Sequence, residues 1–148
     1  MKKDQNIVIN DNQKRSIASS LSLLDEVLCL FEEYAHGREI HSVCYEERND
    51  LTPEQRAKLR SQIETVRAHM KQMKRDLNLP SEVKDVGRLI WGRSAGFWEV
   101  MAEMQSKHLK GYGEISPSLA EYLDPRAETL LQCMQTISGI AGGGDEGA

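Results

Sequence analysis

Residues 17–35 read IASSLSLLDEVLCLFEEYA, and their spacing decides the fold class. Ile17, Leu21, Leu24, Leu28, Phe31 and Ala35 recur at alternating steps of four and three. Apolar residues at that average spacing stay on one side of an α-helix, so the stretch carries a stripe that must be buried against other helices. Two further stretches repeat the pattern. Leu59, Ile63, Val66, Met70, Met73 and Leu77 form one, and Ala120, Leu123, Ala127, Leu130, Met134 and Ile137 the other. The expected fold is all-α: an antiparallel four-helix bundle with coiled-coil-like heptad packing.

Working outward, the chain of 148 residues fits one helical domain over 13–140. An N-terminal arm at 1–12 precedes it, and a disordered glycine-rich tail at 141–148 follows. Within the arm, only Ile7-Val8-Ile9 is apolar, enough for one short strand and too short for a signal-peptide core. No run approaches a membrane span of ~18 apolar residues. These features predict a cytoplasmic protein without membrane contact. Aromatic residues are scarce at 5%, so aliphatic side chains must do most of the packing. The odd set Cys29, Cys44 and Cys133 predicts free thiols, with Cys29 and Cys133 buried beside the apolar stripes.

Gly37 offers a stop for the first helix. Stopping there, however, would leave a connection of about 15 residues, uncommon in compact bundles. Ile40, Val43 and Cys44 continue an apolar face, so the helix is predicted to run to about Arg48. Thr52-Pro53-Glu54-Gln55 predicts a second helix start, with Thr52 as N-cap, proline at the first position and Gln55 closing a capping box. Ser81 is expected to cap a third helix running to Lys110, and Gly111-Tyr112-Gly113 to terminate it. Asp124-Pro125 should interrupt the last helix, because proline lacks the backbone donor and clashes with the preceding turn.

The third helix differs from the others. Val83, Val86, Ile90, Phe97, Met101, Met104 and His108 form its expected inward line, and Trp91, Ala95 and Trp98 a second. It also holds Gly87, Gly92 and Gly96, each costing ~1 kcal/mol of helix propensity relative to alanine. Apolar girth this wide points to burial on two sides. Gly87, Trp91, Gly92, Ala95, Gly96 and Trp98 are therefore the candidate interface. The function expected is a non-enzymatic interaction module, a homodimer or a small subunit of a larger assembly, with protein partners and no cofactor.

Two other classes compete. Glu33, His36, His41 and Cys44 are the densest ligand-type residues and would serve a metal or small ligand. Glu33-Tyr34-Ala35-His36 supplies one Glu-x-x-His unit, where di-iron bundles need two, so no metal centre is assigned. Arg56, Arg60, Arg67, Lys71 and Lys74 make the second helix basic, as a nucleic-acid-binding helix would be. The chain carries a net charge of −4, and residues 25–50 hold eight acids against two bases. Those acids are expected to neutralise the basic helix, so nucleic acid is not the expected partner. No serine or cysteine lies in a recognisable nucleophile motif.

Overall fold

A computed structural model describes residues 7–142. The protein is all-α in class, mostly helical (74%), with very little strand. It divides into two compact units, residues 1–82 and residues 83–148.

The first unit is a helical hairpin of α1 (Asp11–Ala35) and α2 (Pro53–Leu77), joined through β1 (Ile40–His41) and β2 (Glu46–Glu47). Helix α1 begins two residues before Gln13, because Asn10 closes a capping box. Its Oδ1 accepts from Gln13 N at 2.7 Å, and Gln13 Oε1 accepts from Asn10 N at 3.0 Å. Residues 7–10 ahead of it form no strand. At Thr52 the capping box is made as expected, with both reciprocal bonds and proline in the first turn.

The expected continuation of α1 to Arg48 does not occur. Gly37 adopts φ +96°, where a side chain would be strained. Gly37 N donates to Tyr34 O, and Arg38 N to Glu33 O, at 2.9 and 3.0 Å. These two bonds are a Schellman closure, which satisfies the last carbonyls and turns the chain out of the helix. The connection is not a bare loop either. Ile40 pairs with Glu47 and His41 with Glu46 in a small antiparallel hairpin. Asn78, at φ 52°, closes α2 in the same way: Asn78 N bonds Arg75 O, and Leu79 N bonds Lys74 O.

The second unit pairs α3 (Val86–Glu103) with α5 (Pro117–Ala141) through α4 (Ser106–Leu109) and a 3-10 turn at Lys110–Tyr112. Helix α3 is shorter at both ends than predicted. Ser81 does not cap it, since its hydroxyl accepts from Lys74 Nζ at 2.5 Å. Asp85 takes the cap position without a side-chain bond. At the other end, Asp124 accepts from Ser106 N and Ser106 Oγ, both at 2.8 Å, and this starts α4 where a continuous helix was expected.

The predicted interruption at Asp124-Pro125 is likewise absent, and α5 passes through Pro125 unbroken. Three contacts explain its tolerance. Arg126 Nη1 donates to Tyr122 O at 3.0 Å, supplying a side-chain donor in the turn that proline weakens. Asp124 is anchored on Ser106 and does not act as a cap for its own helix. Just beyond, Ala127 and Leu131 are buried. Of the tail, Ala141 ends α5 and Gly142 caps it, while 143–148 lie outside the described residues.

Burial follows the expected stripes in part: Leu28, Ala35, Ile63 and Ala127 belong to them and are buried, whereas Ala18 and Leu131 are buried outside them. Ala18, Leu28 and Ala35 are buried on α1 and Ile63 on α2, while Leu24, Phe31 and Met73 are exposed. On α5, Ala127 and Leu131 turn inward while Leu130 and Ile137 face out. The small residues Ala18, Ala35 and Ala127 are among the buried ones. All three cysteines are exposed, contrary to the expected burial of Cys29 and Cys133.

Candidate interaction surface

Helix α3 meets α5 through its smallest side chains. Ser94 is 4% exposed. A Cβ on Gly87 would lie 2.7 Å from the carbonyl oxygen of Ala141, so this glycine allows a backbone-to-backbone approach. Ala127 of α5 is fully buried. The large apolar residues of α3 stay outside this contact. Val86, Ile90, Phe97 and Val100 lie along one side and are exposed. Trp91 and Trp98, at 55% and 43% exposure, lie on the other. Ala95, between the tryptophans, is also exposed.

The predicted inward line of α3 is thus largely outward. Gly87, at the edge of both expected lines, is the residue in contact. Gly92 and Gly96 have open space where a side chain would be, on the part of the helix that also carries Arg88 and Glu99. Helix α5 adds Leu119, Leu130 and Ile137, exposed and sharing one flank by their spacing. Trp91 packs beside Gly142, a Cβ on which would lie 3.0 Å from the indole Cδ1. Gly142 lies on the opposite flank of α5 from Leu130 and Ile137, so helical spacing puts those two beside Ile90 and Phe97. The result is an apolar face two helices wide. Scattered apolar residues on a surface are ordinary, whereas a contiguous patch marks a site of association.

The ligand-type residues of unit 1 are otherwise engaged. Glu33 Oε1 is 2.6 Å from Arg38 Nη1. His36 Nδ1 lies 2.8 Å from Glu32 O, and His41 Nε2 3.4 Å from Glu39 Oε1. Cys44 stands exposed in the hairpin turn. Among the described residues no three His, Cys, Asp or Glu side chains gather as a metal site would require. What assembles here instead is a polar clasp that the sequence did not signal. Asn49 Nδ2 donates to Tyr34 O at 2.7 Å and Arg38 O at 3.1 Å, and Asn49 N donates to Glu39 Oε2 at 3.1 Å. That last bond, with His41 beside it, holds the Glu39 carboxyl below its ordinary range. Tyr34 donates its hydroxyl to Glu47 at 3.2 Å.

Nor does the basic helix present a free stripe. Arg60 Nη1 donates to Ala35 O at 2.9 Å, capping α1. Arg67 reaches Glu32 at 2.9 Å and Asp25 at 3.8 Å, and the Glu32 hydrogen bond raises its pKa. Arg56 is packed against Gly37. Lys71 and Lys74 border a cleft near the end of α2.

Among the described residues no helix is long and apolar enough to cross a membrane. Comparisons with protein-family models, curated proteins and solved structures find no match, so geometry alone carries the functional reading.

Proposed function

We propose that the chain is a non-enzymatic helical interaction module, acting as a homodimer or as a small subunit of a larger assembly. The observation that carries this reading is the uncovered apolar face of the α3–α5 hairpin, with Ile90, Phe97, Leu130 and Ile137 exposed together. Two such hairpins placed face to face would make an antiparallel four-helix bundle with heptad packing, and a two-fold axis would let each copy cover the other with the same residues.

Sedimentation velocity at tens of micromolar tests this. The parent chain is expected to sediment as a dimer. Phe97→Glu, which places a charge on the face without touching the small-residue contact between α3 and α5, is expected to sediment as a folded monomer. A parent chain that is strictly monomeric would overturn the homodimer, and a Phe97→Glu chain that dimerises as tightly as the parent would move the interface elsewhere.

A further inference from the structure

On unit 1, beside the Arg67 ion pairs, α1, α2 and the segment that follows them enclose a cleft of about 420 Å³. Its size falls within the ~300–1,000 Å³ of small-molecule sites. The floor is apolar, built by Leu21, Met70 and Leu79, and Leu79 is held in place by the left-handed turn at Asn78. One wall is basic. Arg67, Lys71 and Lys74 lie on successive turns of α2 and all line the cleft.

These three cations are not equivalent. Arg67 is taken up by Asp25 and Glu32. Among the described residues, Lys71 and Lys74 are in no ion pair. Lys74 Nζ instead donates to the Ser81 hydroxyl at 2.5 Å, which orients both groups at the rim. Two carboxylates, Asp25 and Glu82, also line the cleft. Asp25 is bound to Arg67.

We propose that this cleft binds a small amphipathic anion. A single carboxylate or phosphate head would sit against Lys71, Lys74 and Ser81, and a short acyl or aryl tail would cover Leu21, Met70 and Leu79. The apolar floor disfavours polyphosphates and nucleic-acid strands, which need a continuous basic track. This site is independent of the α3–α5 face.

Amide NMR of the full chain tests it, with hexanoate, hexyl phosphate, hexanol and hexylammonium titrated separately. Saturable shifts at residues 18–25, 67–74 and 79–82 are expected with the anions and not with hexanol or hexylammonium. The tighter of the two anions tells a carboxylate head from a phosphate. Lys71→Gln/Lys74→Gln, both at exposed positions, should weaken anion binding about tenfold or more, as loss of a charge-assisted contact does. Lys58→Gln, exposed on the same helix, should leave it unchanged. Hexanol binding as tightly as hexanoate, a double variant that binds like the parent, or shifts absent from these segments would each overturn the proposal.

Discussion

The two helical hairpins of this chain hold themselves together by different means. In unit 1, α1 and α2 are tied by named polar contacts: Arg67 to Glu32, Arg60 to the carbonyl of Ala35, and Asn49 across the hairpin turn. In unit 2, α3 and α5 touch through Gly87, Ser94 and Ala127, with hardly a polar bond between them. The polar tie of this unit joins α5 to α4: the Asp124 carboxyl accepts the backbone N–H and the hydroxyl of Ser106, and is held below its ordinary value by them. Polar ties specify register. Small-residue contacts bring backbones together but bury little apolar area, and area is what stabilises at ~25 cal/mol per Å². Both hairpins expose large apolar side chains, Leu23, Val27 and Phe31 on the first and Ile90, Phe97, Leu130 and Ile137 on the second, where the proposed association surface lies.

The sharpest way to break this contrast is at Gly87. Leucine there would drive into the Ala141 carbonyl and should destabilise by ~1–3 kcal/mol despite its better helix propensity. Both tryptophans lie in unit 2, so urea unfolding followed by their fluorescence reads this hairpin; an unmoved midpoint would show that α3 and α5 do not meet at Gly87.

A smaller effect is expected from Asn49→Ala in the other unit. It leaves the carbonyls of Tyr34 and Arg38 without their side-chain donor, and should cost ~1–2 kcal/mol in urea unfolding followed by far-UV circular dichroism. A variant as stable as the parent would mean that the clasp is decorative and that packing alone holds unit 1.

The smallest change, and one of opposite sign, belongs to Gly92. With nothing near its missing side chain, Gly92→Ala should stabilise unit 2 by ~0.5–1 kcal/mol through helix propensity. Loss of stability in the same fluorescence assay would show that another chain approaches this glycine, and would return it to the interface.

Much of the fold was legible because helices announce themselves locally. The capping box at Thr52 and Gln55 depends on four neighbouring residues, and it formed as read. Local rules misled where a distant residue decided the outcome. Pro125 ought to end a helix with Asp124 as the next one's cap, yet Asp124 is taken up by Ser106, eighteen residues away, and α5 runs on. Gly37 could be read either way from the sequence, because the two-residue strands that fill the next loop have no periodicity to betray them.

The apolar stripes held Leu28, Ala35, Ile63 and Ala127, which are buried, but which other stripe members stay exposed depends on where the neighbouring helix lies. The same limit applied to the glycines of α3. Trp91 and Trp98 were recognisable as surface candidates from their number and spacing. Which glycine faces the neighbouring helix depends on where that neighbour runs, and one helix read alone does not contain that information. The basic residues of α2 divided for a similar reason: Arg67 meets the α1 carboxylates Asp25 and Glu32, whereas Lys71 and Lys74 are in no ion pair among the described residues.

The Schellman closure at Gly37 also gives the first hairpin a direction of opening. Helix ends ordinarily fray, and the amides of a final turn lose their protons to solvent early. Here the last turn of α1 is closed by Gly37 and Arg38, roofed by Arg60 and fastened through Asn49 to the incoming strand. The opposite end, at Asp11 and Leu77, has the Asn10 capping box and the Asn78 turn but, among the described residues, no side-chain hydrogen bond there between α1 and α2. Thermal opening should therefore travel from the N-terminal end of α1 toward the β-turn, like a clasp knife whose hinge stays shut longest. Amide exchange would be slowest near Ala35, where a free helix would exchange fastest.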